Sequence, residues 1–127
     1  MAFKITLPTL LLLPFLLFPT DVAAQCSSVH IFGARETTVG SGYGTAGSIV
    51  SGIQSSFSGA TAEAINYPAC GGQASCGSVP YNQSVQRGTA AVASQVNAYN
   101  QKCPNAILVF VGYSQVRSLR LFERGSY

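Results

Sequence analysis

Apolar positions follow several distinct patterns along this chain. From Ile5 to Phe18 they run almost unbroken behind Lys4, and Val22, Ala23 and Ala24 follow shortly after. From Cys26 onward the pattern becomes periodic. Residues 29–32 form a short apolar run bounded by Gly33, which predicts a strand. After a loop rich in Gly, Ser and Thr, Ile49, Ile53 and Phe57 recur at four-residue spacing, the stripe of an amphipathic helix that Gly59 closes. Residues 62–66 alternate small or apolar with polar, predicting a second strand that stops before Pro68. A Gly-, Ser- and Cys-rich loop spans 69–82. The clearest helix follows, with Ser84 as N-cap, a face made of Val85, Thr89, Val92, Val96 and Tyr99, and a stop at Cys103-Pro104. Residues 106–111 have no polar break, as expected of a strand buried on both faces of a parallel sheet.

Strand, helix, strand, helix, strand implies right-handed crossovers and a parallel sheet with helices packed against it, the α/β class. Ligands of such sheets bind beyond the carboxyl ends of the strands. Loops 33–41 and 112–116 are therefore the places to look for chemistry. The sequence shows neither an internal repeat nor a domain linker.

Composition sharpens this picture. The 127 residues are 47% hydrophobic and 9% charged, against roughly a quarter charged in an average soluble domain. Much of the excess lies in residues 1–24, whose basic start, apolar middle and small-residue end read as a secretory signal peptide cleaved after Ala24. A membrane anchor is the rival reading, but Pro8 and Pro14 interrupt the run and it is short for a span of about 20 residues. Removal leaves 103 residues, enough for one domain with a modest core. Asp21 is the only aspartate, so the remainder has none; its acids are Glu36, Glu63 and Glu123, and its one histidine is His30. The net charge of +3 is concentrated in Arg117, Arg120 and Arg124. Nothing before residue 117 supplies the basic face that a nucleic-acid partner needs.

Four cysteines, Cys26, Cys70, Cys76 and Cys103, survive cleavage, and an even count in an exported chain implies disulfides. Their gaps of 44, 6 and 27 residues fit no paired zinc-ligand spacing, and no metal is expected. Three pairings are possible; spacing favours Cys70 with Cys76 as a local clip, leaving Cys26 with Cys103. In the chain-entropy account the long link contributes about 4.5 kcal/mol and the short one about 2.4 kcal/mol. Asn82-Gln83-Ser84 is an acceptor sequence for N-linked glycan, suited to an exposed loop in an oxidising compartment.

The loop after the last strand reads Gly112-Tyr113-Ser114-Gln115. A Gly-x-Ser triplet alone says little, but directly after a buried strand it matches a sharp turn that lifts a serine above the sheet. The residue two before must be small, and the amide of the next residue, Gln115, would face a developing oxyanion. An ordinary turn serine is the plain alternative.

Three stretches in order, His30-Ile31-Phe32-Gly33-Ala34-Arg35-Glu36-Thr37-Thr38, Ala64-Ile65-Asn66-Tyr67-Pro68-Ala69-Cys70-Gly71-Gly72 and Val111-Gly112-Tyr113-Ser114-Gln115, resemble the amino-terminal half of secreted cutinase-family serine esterases. Within that family they look most like acetylxylan esterases, over residues 26–115. The resemblance implies a small cutinase-like α/β-hydrolase domain with an open site, here incomplete, and no cofactor. It implies Ser114 as nucleophile, an oxyanion hole from Thr37 and the Gln115 amide, and disulfides Cys26 to Cys103 and Cys70 to Cys76. The expected substrates are esters such as acetylated xylan or cutin, met outside the cell by a monomer without membrane or nucleic-acid partners.

Departures from the family matter as much. Members follow the serine with Gln-Gly-Gly and continue to a catalytic Asp and then a His. Here Val116 stands where the elbow wants its second glycine, and a β-branched side chain suits that crowded point badly. His30 precedes Thr37 by seven positions, up to roughly 23 Å along an extended chain, so it is expected to be structural. Glu36 lies near the loop but is ordinarily a weak base. A serine without its base is not activated, so little or no turnover is expected of these residues. Residues 117–127 read as an aberrant basic tail, translated from an unspliced intron or a shifted frame, with 25–116 as a partial hydrolase domain. Two rival readings remain: a non-catalytic secreted fragment that binds wall polysaccharide through Tyr43 and Tyr81, and a fragment that does not fold stably.

Overall fold

The computed structural model describes residues 26–115. The expected signal peptide at 1–24, Val116 and the basic tail lie outside the described residues. Within them, β1 (Val29–Ala34), α1 (Gly47–Ser56), β2 (Thr61–Ala64), α2 (Tyr81–Lys102) and β3 (Ile107–Gly112) follow in the expected order. The three strands form one parallel sheet in the order β2-β1-β3.

That order follows from which strand can be buried on both faces. β1 is buried at all six positions, and its alternate side chains feed two cores. Phe32 and Ala34 pack with Ile65, Tyr67, Ala69 and Val92 under α2. Val29 and Ile31 pack with Val50 of α1, with Tyr43, Ile53 and Val109 alongside. Fully burying side chains such as Ile31 and Phe32 stabilises by about 1.5–3 kcal/mol each. The chain thus leaves β1 through α1 to β2 on one side, then crosses back through α2 to β3 on the other. The reversal lies between β1 and β3, where an open α/β sheet forms its binding crevice.

Three expectations are corrected. The α1 stripe is only partly the buried face: Ile53 meets the sheet beside Val50, but Ile49 and Phe57 are 56% and 52% exposed. Phe57 ends the helix in an extended conformation, so the four-residue spacing carried past the helix end. Ser84 is not the N-cap; α2 starts a turn earlier behind Pro80, and Ser84 is buried inside its first turn. β3 is not buried on both faces, for Ile107 is 64% exposed. Among the described residues β3 has a neighbour only in β1. Its unbroken apolar run records affinity for cover on two sides, of which one edge is met here.

Two disulfides, Cys26–Cys103 and Cys70–Cys76, close the unit with the expected pairing. The first joins the segment just before β1 to the end of α2; the second clips the loop before α2. No helix among the described residues is long and apolar enough to cross a membrane.

Candidate active site

β1 and β3 run in register, with Ala34 opposite Gly112. Thr37 lies three residues beyond β1 and Ser114 two beyond β3, so the two expected site residues leave adjacent strands at the same end of the sheet. Ser114 is exposed and takes a left-handed backbone, φ 62°. That conformation costs a non-glycine residue of order 1–3 kcal/mol and persists only where the surroundings impose it. A serine at such a turn directly after a parallel strand is what a strand-to-helix nucleophile elbow requires. Tyr113, beside it, is 60% exposed.

Gln115 is the opposite case, at 1% exposed. Its Nε2 donates to the Cys70 carbonyl at 3.3 Å, and its Oε1 accepts from the Ser84 hydroxyl at 3.5 Å. Ser84 Oγ in turn accepts the Cys70 N–H at 2.9 Å. Both backbone groups of Cys70 are thereby tied to the turn after β3 and to the first turn of α2. The sequence marked Gln115 only for its amide; its side chain is what fastens the turn, and no spacing signals it.

The 35–38 loop is fastened from below. Arg35 is buried, and its guanidinium donates from Nε to the Val39 carbonyl at 2.9 Å and from Nη1 to Ile65 at 3.5 Å, with Nη2 on the Tyr67 carbonyl. Tyr67 returns its hydroxyl to the Arg35 carbonyl, and its ring lies 5.2 Å from the guanidinium carbon. Burial pushes the Tyr67 phenol up to about 12, the Arg35 charge opposing, so it is a fixed donor at any physiological pH. Thr38 is also left-handed, φ 67°, and its N–H bonds to the Ala69 carbonyl at 2.6 Å. Thr37 is half-buried with its methyl beside Gly71, where a Cβ would stand 3.3 Å away. These contacts hold the threonine loop against the same segment that holds Gln115.

The remaining candidates are placed apart. Glu36 is turned away onto the Thr45 N–H and hydroxyl. The Thr45 hydroxyl, then the backbone bonds, hold its carboxyl below the usual carboxylate value, which makes it a poorer base still. Gly44 permits this approach: it is left-handed, φ 56°, and a Cβ there would collide with the Glu36 carboxylate. His30 is buried near the amino end of β1, its Nδ1 2.7 Å from Thr61 Oγ1 and its ring stacked on Tyr99 at 3.7 Å. Burial lowers its pKa, with Glu63 opposing. Tyr43 packs into the α1-side core and over Gly33, whereas Tyr81 is exposed. Asn82 is exposed in the first turn of α2. Among the described residues no three His, Cys, Asp or Glu side chains converge as metal ligands.

A parallel sheet wrapped by helices on both faces, with a strained serine turn at its carboxyl end, has the architecture of an α/β-hydrolase. The chain belongs to the cutinase family: that family's model, described as Cutinase, matches residues 25–119. It is 62% identical over 91 residues to Cutinase 11 of Verticillium dahliae, covering 72% of this chain and 31% of that protein. To Acetylxylan esterase 2 of Talaromyces purpureogenus it is 58% identical over 91 residues, covering 72% and 39%. Among solved structures, an acetylxylan esterase superposes with a TM-score of 0.70 at 57% identity, covering 72% of this chain and 44% of that one. The catalytic core domain of acetyl xylan esterase from Trichoderma reesei gives 0.71 at 52%, with the same coverage. The chain thus spans about a third of the length of the relatives that it matches.

Proposed function

We propose that the chain carries the nucleophile half of a secreted carboxylic ester hydrolase acting on plant cell-wall esters such as acetylated xylan or cutin. Ser114 attacks the ester carbonyl, its oxygen bonds to the acyl carbon, and the alcohol departs; water then releases the acid from the acyl-enzyme. The Thr37 loop and the Gln115 amide receive the oxyanion of each tetrahedral intermediate. The reading is carried by one observation, the exposed, left-handed Ser114 on the turn after β3, next to the loop that leaves β1. The two disulfides and the family support export to an oxidising compartment.

Among the described residues neither candidate proton acceptor is turned to Ser114. Glu36 is engaged by Thr45 and His30 lies toward the other end of β1. The 127 residues by themselves are therefore expected to release acetate no faster than their Ser114→Ala variant. The decisive experiment is a chimera in which residues 26–115 replace the matching segment of the Talaromyces acetylxylan esterase. It should hydrolyse an acetyl ester with an initial burst, and Ser114→Ala should lower turnover by about a million-fold. A folded chimera that is inert, or one whose turnover survives that substitution, removes the assignment.

A further inference from the structure

We propose that Asn82 carries an N-linked glycan that stands at the rim of the candidate active site and is attached before the chain folds. The proposal rests on the export reading above. Asn82-Gln83-Ser84 has the acceptor amide, a non-proline middle residue and the required hydroxyl. Asn82 is exposed, whereas Ser84, two residues on, is fully buried with its hydroxyl on Gln115 and its oxygen on the Cys70 N–H. One serine thus has two employments that exclude each other in time. A transferase that reads the Ser84 hydroxyl meets it only in the unfolded chain.

The location follows from topology. α2 links two parallel strands and runs back along them, so its first turn lies at their carboxyl ends, with Ser114 and the 35–38 loop. The Ser84 to Gln115 hydrogen bond joins that first turn to the residue after Ser114. A branched saccharide on Asn82 therefore flanks the opening beside Tyr81 and Tyr113, both exposed, and screens Ser114 from bulky polymer more than from small esters. In the transfer, Asn82 Nδ2 bonds to the anomeric carbon of a lipid-linked oligosaccharide diphosphate. The bond from that carbon to the diphosphate oxygen breaks, the lipid diphosphate departs, and an amide proton is released.

The test expresses the full chain in a secreting yeast and maps both glycopeptides and disulfides by mass spectrometry. A glycan on the peptide containing Asn82 is expected, retained in Ser84→Thr and lost in Asn82→Gln and Ser84→Ala. Hydroxyl-radical labelling of Tyr113 should rise several-fold in Asn82→Gln. A secreted chain with both disulfides formed and Asn82 bare overturns the site while leaving export standing. A chain retained in the cytosol with four free thiols overturns both. Occupancy with unchanged labelling of Tyr113 overturns the placement at the rim, and transfer to the purified folded chain overturns the timing.

Discussion

His30 shows what a single buried titratable side chain does to this protein. Its Nε2 has no hydrogen bond; Glu63 of β2 lies 3.9 Å away, Thr61 holds Nδ1, and Tyr99 of α2 covers the ring with Phe32 at its edge. Burial favours the neutral ring and lowers the folded-state pKa below 6.5, with Glu63 offsetting part of the effect. Acid therefore protonates the unfolded chain first. The stability that His30 contributes is complete above its unfolded value and is lost as pH falls through 6.5 toward the lower folded value. As pH falls below 6.5, melting temperature should drop more steeply in the native chain than in His30→Gln. Parallel slopes would refute this. Glu36 titrates in a lower window, since its carboxyl is held below 4.5. The structural role of His30 was legible from its place early in a strand. The Arg35 clamp was not: a lone arginine after a glycine-bearing strand carries no sign that three backbone carbonyls await it.

At the scale of elements, the unit depends on the join between the Cys70 loop, the start of α2 and the turn after β3. Ser84→Ala leaves the buried Cys70 N–H without its acceptor and should cost about 1–3 kcal/mol. Gln115→Leu should cost a similar amount by freeing the Cys70 carbonyl. Because both act on one closed ring of bonds, the double variant should depart from additivity by about 0.5–3 kcal/mol in urea unfolding; strict additivity would mean that the ring is not a unit. Element order and type were readable from periodicity, since 29–32, 62–66 and 106–111 each fall on observed strands within two residues. The faces and starts were less so. Val50 joins Ile53 against the sheet while Ile49 and Phe57 stay exposed, so apolar spacing alone did not single out the inward positions. Ser84 looked like a cap because polar Tyr81, Asn82 and Gln83 hide the first turn.

For the molecule as a whole, the long disulfide is the larger constraint on the unfolded chain, closing 77 residues against 6. Pairing both partners as serine, Cys26→Ser with Cys103→Ser should lower unfolding free energy by about 4 kcal/mol and Cys70→Ser with Cys76→Ser by about 2 kcal/mol. Equal losses measured by denaturant titration would contradict the order. The fold class and the candidate serine turn were legible across most of 26–115, but the exposure of β3 was not. A run such as Ala106 to Val111 records what a strand can tolerate at its sides, whereas the packing of segments distant in sequence decides which side is occupied, here the β1 edge. The same long bridge has a practical corollary. It makes residues 26–103 a covalent loop, so one protease cut in the exposed stretch around Gly71 to Pro80 would leave both pieces attached. Such a nick would pass unseen on a gel run without reductant and appear as two bands once thiol is added.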